Sequence, residues 1–162
     1  MEEDGGLARK VGRMLIRPFA EPDTDAVVAL WECCGLVRPW NDPRADIARK
    51  LTEQPELFLV GETGETGETS GETRGIVATA MAGFDGHRGW VHYLAVDPLR
   101  QRQGLGRAIM AEVERLLVER GCPKLNLQVR SDNLKVLGFY RGLGYGEDQV
   151  LSLGKRLILD EG

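Results

Sequence analysis

Between Tyr93 and Gly106 the chain reads Tyr-Leu-Ala-Val-Asp-Pro-Leu-Arg-Gln-Arg-Gln-Gly-Leu-Gly. An apolar run passes into a turn rich in arginine and glycine, and an amphipathic pattern begins directly after it. If that pattern is a helix, its first N–H groups lack intrahelical partners and lie at the positive end of its dipole. Gly104 and Gly106 would let a ligand approach the backbone, so the residue types suit anion binding, phosphate above all. Farther along, Asn133 to Tyr145 gathers an asparagine, a phenylalanine and two tyrosines around a short apolar pattern.

Two familiar phosphate binders fail on their spacing. A P-loop requires Lys-Ser/Thr after its last glycine, whereas Gly106 is followed by Arg107-Ala108. A dinucleotide fingerprint requires a third glycine or alanine where Ile109 stands, and an acidic residue ending the next strand, where Val129-Arg130 lies.

The elements that must position these residues follow from periodicity and turn chemistry. Leu15 to Phe19 reads as a strand, and Glu21 to Cys34 as a helix with Ala26, Val27, Leu30 and Trp31 on one face. Asp42 and Pro43 start a helix that runs to about Glu53. Strands are expected at Leu57 to Gly61, Gly75 to Phe84 and Gly89 to Val96, the last two joined by an Asp85-Gly-His-Arg88 turn. Gly104 to Arg120 is a helix with Leu105, Ile109, Val113, Leu116 and Leu117 as its stripe, stopped by Gly121. A strand at Lys124 to Val129, a helix at Leu134 to Leu143 and one or two strands in Tyr145 to Leu159 complete the α/β pattern.

At 162 residues, 42% hydrophobic and 28% charged, the chain has the composition of one globular domain. A net charge of −4 without a basic stripe argues against a nucleic-acid partner. No apolar run approaches the roughly 20 residues of a membrane helix, and the first 13 residues lack a signal-peptide core. Residues 1–13 read as a flexible extension and 14–162 as the domain. Within it, the Gly-Glu-Thr repeat across residues 61–75 has nothing to bury and reads as a mobile loop. Cys33, Cys34 and Cys122 form neither a disulfide framework nor a metal-ligand cluster, so reduced thiols in a cytoplasmic protein and no metal are expected.

Gln101-x-x-Gly104-x-Gly106 resembles the pyrophosphate-binding signature of the GNAT superfamily of acyl-CoA-dependent N-acyltransferases. Asn133-x-x-Val136-x-x-Phe139-Tyr140, ending in Gly144-Tyr145, is similar to that superfamily's second signature and stands in the same order. Leu30-Trp31-Glu32, Arg38-Pro-Trp-Asn-Asp-Pro43, Asp85-Gly-His-Arg-Gly89, Gly121-Cys-Pro-Lys124 and Leu151-Ser-Leu-Gly-Lys-Arg156 further resemble a bacterial group of acetyltransferases named YpeA.

The resemblance implies a single mixed, mostly antiparallel sheet of six or seven strands, about four helices, and a V-shaped splay between two central strands. A bulge in the strand ending at Val96 would leave backbone groups unpaired there. Coenzyme A, or acetyl-CoA, would lie along Leu94, Ala95 and Val96, with its pyrophosphate on amides from Arg102 through Gln103, Gly104, Leu105 and Gly106 to Arg107. Arg100, Arg102 and Arg107 would add charge, and Asn133, Val136 and Tyr140 would line the pantetheine arm. By the same resemblance Tyr140 is the general acid for the departing thiolate, and the Val96 N–H is the oxyanion donor.

The base is less clearly written. Where some relatives carry a glutamate this chain has Gln128, which takes no proton. His92, alternating with Tyr93 along its strand, and His87 in the preceding turn are the candidates, beside Asp85 and Glu32. The acceptor would be a primary amine on a small molecule or peptide, walled by Arg38, Trp40, Asn41 and Asp42 and by Asp85, His87 and Arg88. Arginines there suit a substrate carboxylate and aspartates a second ammonium. A non-catalytic acyl-CoA sensor, or a homodimeric scaffold joined through the C-terminal strands, stands as the alternative.

Overall fold

The computed structural model describes residues 8–64 and 75–160. Residues 1–7 of the expected extension and 65–74 of the repeat lie outside the described residues. The strands are β1 (Arg9–Val11), β2 (Met14–Pro18), β3 (Phe58–Thr63), β4 (Gly75–Phe84), β5 (Gly89–Val96) and β6 (Leu125–Asn126). The helices are α1 (Thr24–Cys33), α2 (Pro43–Lys50), α3 (Leu105–Glu119) and α4 (Leu134–Gly142). The sheet runs β1-β2-β3-β4-β5-β6, antiparallel throughout except for the parallel pair β5 and β6.

Period-two alternation sends successive residues of each strand to opposite faces. Ile16, Leu59, Val77 and Val91 pack under Ile109, Val113 and Leu117 of α3. Phe58, Val60 and Met81 pack on the other face against Val27 and Trp31 of α1 and Ile47 of α2. Both faces are covered, so β4 is buried continuously from Val77 to Ala82. On α1 it is Val28 that is buried, whereas Ala26 is exposed. α2 starts where Asp42 accepts hydrogen bonds from the backbone N–H groups of Arg44 (2.9 Å) and Ala45 (3.3 Å). It ends at Lys50, short of the expected Glu53.

Three departures from the sequence reading bear on the site. First, Arg9–Val11, expected within the flexible extension, pairs with Met14–Ile16 across a turn in which Gly12 has φ +59°. Second, the strand expected over Lys124 to Val129 pairs only at Gly89↔Leu125 and Trp90↔Asn126. Leu127 and Val129 still pack on the α3 side, so the side-chain alternation persists after the backbones have parted. The parting is the splay: from Val91 to Val96 no strand pairs with β5 on that side among the described residues. Third, Tyr145 to Leu159 forms no strand among the described residues. Side-chain contacts hold this tail beside β6, with Lys124 donating to Asp148 and Gln128 to Ser152. Leu151 and Leu153 are left 90% and 92% exposed, so their alternation reflects no buried face.

A register shift interrupts β4 and β5. Thr79 pairs with Ala95 but Met81 with His92, so Tyr93 and Leu94 together oppose Ala80. This is the expected bulge, and Tyr93 takes φ +52°, in the left-handed region. It corrects the alternation read from the sequence. Val91 faces α3, so His92 faces α1 and α2, and Tyr93 also packs on that face, its ring 3.8 Å from Trp31. Leu94 then returns to the α3 side.

Candidate active site

The loop between β5 and α3 is shaped by its own backbone. Asp97 accepts from the N–H groups of Leu99 (3.0 Å, on the carboxylate) and Arg100 (2.8 Å, on the carbonyl), closing a tight turn. Arg102 (φ +67°) and Gly104 (φ +77°) both lie in the left-handed region, an arrangement that gathers amide N–H groups on one side of a loop. The first N–H of the helix with an intrahelical partner is that of Ala108, which donates to Gly104 at 3.0 Å. No side chain caps α3, and its first turn carries Arg107 but no acidic residue. A helix stabilised for its own sake would have the reverse, a capping hydroxyl or carboxylate and acids in its first turn. The N–H groups of Leu105, Gly106 and Arg107 thus form a cationic end that fits an external anion.

Helix α4 lies alongside this loop and brings the second cluster to the first. A Cβ at Gly106 would stand 3.1 Å from Phe139 Cζ and 3.5 Å from Val96 Cγ2. Arg107 donates to the Gly142 carbonyl (3.4 Å) and Lys135 to the Gln101 side chain (3.3 Å). Asn133 caps α4, its Oδ1 accepting from the Val136 N–H at 3.3 Å.

Tyr140, 8% exposed, is held edge-on between the rings of Phe139 (5.1 Å) and Tyr145 (5.7 Å). Its hydroxyl makes no hydrogen bond among the described residues, and burial pushes its pKa up to about 12. At the end of β5, the Asp97 N–H donates across the sheet to Val77 (2.8 Å). Strand alternation therefore turns the Val96 N–H the other way, toward the splay. The Cys34 thiol, whose pKa burial raises, reaches the Val96 carbonyl at 3.3 Å.

The two histidines separate. His87 lies in the exposed Asp85–Arg88 turn, before β5 begins, while Leu94 is near its end. At about 3.3 Å per residue the two are roughly 20 Å apart along the strand, beyond the reach of proton transfer. His92 is much closer to Val96 and opens to solvent on its face. Desolvation is the largest influence on its imidazole and lowers the pKa; nearby Asp46 raises it and Lys50 lowers it further. His92 is therefore neutral at neutral pH. Glu32 is exposed on α1. Gln128 is exposed and engaged with Ser152.

The acceptor-side residues are not gathered in one place. Arg38, Trp40, Asn41 and Asp42 precede α2, whereas the Asp85–Arg88 turn lies beyond its far end, where Gln54 bonds Phe84 in both directions (2.8 and 2.9 Å). Asp42 is committed to its cap, and Asn41 accepts from Arg156 at 2.6 Å. Asp85 accepts from the N–H groups of Arg88 (2.7 Å) and His87 (2.8 Å), which hold its carboxyl below the ordinary range. Arg88 donates to the His87 carbonyl at 2.9 Å. Trp40 is 51% exposed.

Three neighbours of the site escaped the sequence reading. Asp46 accepts from the Tyr93 hydroxyl (2.6 Å) and from Arg49 (2.7 Å), and Arg49 also binds Asp160. Thr79 links Trp31 to the bulge, and Cys34 touches Val96. Only Thr79 carried a signal, as the lone hydroxyl in the apolar run Ile76 to Ala82.

Comparison with known proteins agrees with this geometry. The model of the acetyltransferase (GNAT) family matches residues 24–145, from α1 to the end of the second cluster. A protein named acetyltransferase from Yersinia enterocolitica is 48% identical over 148 residues, covering 91% of this chain and 99% of its own. Among solved structures, the ribosomal-protein-S18-alanine N-acetyltransferase of Escherichia coli is 25% identical, with TM-score 0.63 over 84% of this chain and 79% of that one. AAC(6')-Iy, in complex with a bisubstrate analogue of CoA, shares the fold with TM-score 0.68 at 17% identity, over 89% of this chain and 99% of that one. With its uncapped loop helix, its splayed sheet and these likenesses, the chain belongs to the GNAT acetyltransferase family.

Proposed function

We propose that this acyltransferase moves an acetyl group from acetyl-CoA to the primary amine of a small molecule or a peptide N-terminus, by direct attack while both are bound. The convergence of Gly106, Phe139 and Val96 at the uncapped end of α3 supports the reading, because it brings the glycine-rich loop, the end of β5 and the helix that carries Tyr140 together. The named relatives support it: one solved neighbour acetylates a protein alanine, and another holds a CoA bisubstrate analogue.

Amides from Arg102 to Arg107 seat the pyrophosphate, with Arg100, Arg102 and Arg107 adding charge. Backbone groups of Leu94 and Val96 pair with the pantetheine arm as an added strand would, against Asn133 and Val136, while Ala95 between them faces β4. Orientation supplies much of the rate, since well-aligned reactants recover roughly 7–11 kcal/mol. The Val96 N–H donates to the carbonyl oxygen as negative charge develops there. Tyr140, still protonated at neutral pH, gives its proton to the leaving thiolate. His92, neutral and on the α1 and α2 face of β5, takes the amine proton through a chain of waters.

The test is mass spectrometry of reactions with acetyl-CoA over amino acids, polyamines, aminoglycosides and peptides. A product heavier by one acetyl group, formed with equimolar thiol, is the expected result. CoA binding without turnover on any amine would instead assign a cofactor sensor.

A further inference from the structure

A bulge leaves a backbone group without its ladder partner, and a buried carbonyl in that position needs a donor from elsewhere. At this bulge the part-buried Tyr93 carbonyl accepts from the Thr79 hydroxyl at 2.8 Å. Thr79 is itself 0% exposed, and its oxygen accepts from the Trp31 indole N–H at 2.9 Å. The direction of this chain is forced. An indole nitrogen only donates and a carbonyl only accepts, so the hydroxyl proton can point only at Tyr93. Trp31 also stacks on the Tyr93 ring, and Asp46 holds the Tyr93 hydroxyl, so the residue is gripped at backbone, ring and phenol.

The grip falls on the one residue of β5 in a left-handed conformation. Such a conformation is costly for a residue with a side chain and persists only where surrounding contacts hold it. Its effect is to reset the phase of the strand, turning Leu94 to the α3 side and Val96 N–H to the splay.

We infer that Thr79 is a positioning residue for the acyl donor: its hydroxyl fixes the Tyr93 carbonyl and thereby the bulge that presents the Leu94–Val96 backbone to the coenzyme. This rests on the acetyl-CoA reading above. Thr79 touches no reacting atom, and it acts only through the phase of β5. A conventional strand in this register would present the wrong edge groups, however well the loop at Gly104 bound phosphate.

Calorimetric titration with CoA tests the role without knowledge of the amine. Thr79→Val keeps the shape and removes the hydroxyl, and it should weaken CoA binding by at least about tenfold. Thr79→Ser, which restores donor and acceptor, should bind within about threefold of the wild type. Leu117→Ala, a core truncation at the far end of α3, controls for lost stability and should likewise stay within about threefold. Should Thr79→Val fail to fold, Thr79→Cys, with a weak S–H donor, should show at least about fivefold weakening. Wild-type affinity in the Thr79 variant, or equal weakening in Leu117→Ala, would overturn the positioning role alone. No CoA binding by the wild-type protein would instead overturn the acetyl-CoA reading, and the role with it.

Discussion

Gly106 packs against Phe139 so closely that a single added carbon would sit 3.1 Å from the edge of the ring. The glycine opens α3 and the phenylalanine lies on α4, so this contact is where the two sequence clusters become one site. An alanine at Gly106 gains helix propensity but must push Phe139 aside by a few tenths of an ångström. A branched side chain cannot be accommodated by so small a shift. Gly106→Val should lower stability by about 1–3 kcal/mol, as overpacking does, and weaken CoA binding well beyond that of Gly106→Ala. Thermal melts and calorimetry with CoA check both effects.

Tyr140 is expected to act through its proton alone. Tyr140→Phe keeps the edge-on packing with Phe139 and Tyr145, and it should reduce kcat at least about tenfold while CoA affinity stays within about threefold. With the phenol pKa at about 12, the activity of the wild type should show no loss from Tyr140 ionisation below about pH 10. Steady-state kinetics beside a binding titration separate the two quantities.

His92 makes a signed prediction. Its pKa is lowered in the fold, principally by desolvation, so between that value and the ordinary 6.5 the unfolded chain binds more protons than the native one. Stability from this group is therefore fully present above about pH 6.5 and is lost as pH falls through the native value. As a base, His92 stays competent at pH values where a free imidazole is already charged. The acid limb of kcat should lie below pH 6.5, and His92→Gln should remove that limb together with most of the rate. His87→Gln should leave both unchanged, and a pH–rate profile for each variant distinguishes them.

Asp42 is expected to serve stability rather than recognition, because its carboxylate already accepts from Arg44 and Ala45 at the start of α2. Asp42→Ala should cost about 1 kcal/mol, whereas Asp42→Asn, which still caps, should cost a few tenths. Chemical denaturation reads the difference. A change of acceptor preference in the Asn variant would return Asp42 to the substrate wall.

The strands at Gly75 to Phe84 and Gly89 to Val96 were legible to the residue, because apolar runs bounded by glycine leave little choice. The loop and α3 were equally plain, since glycines, arginines and a 3.6-period stripe follow one another without a break. What failed depended on partners distant in sequence. Leu125 to Val129 alternates as a strand does, yet ladder formation needs β5 alongside, and the two chains separate after Asn126. The tail at Leu151 and Leu153 has the same period but pairs with no strand among the described residues. The phase of His92 and Tyr93 was misread for a related reason. A bulge is a property of two strands and a donor such as Thr79, and none of these is visible in the local spacing. Around the acceptor, residue types suggested a wall, but caps and turns had already claimed Asp42 and Asp85.

Thiol release from acetyl-CoA, measured with product mass across the panel of amines, tests the central claim most directly. Acetylation of at least one amine, with about one thiol released per acetyl transferred and loss of turnover in Tyr140→Phe, is the expected result. Tight CoA binding with no acetylated product from any amine, or full turnover in Tyr140→Phe, would contradict it.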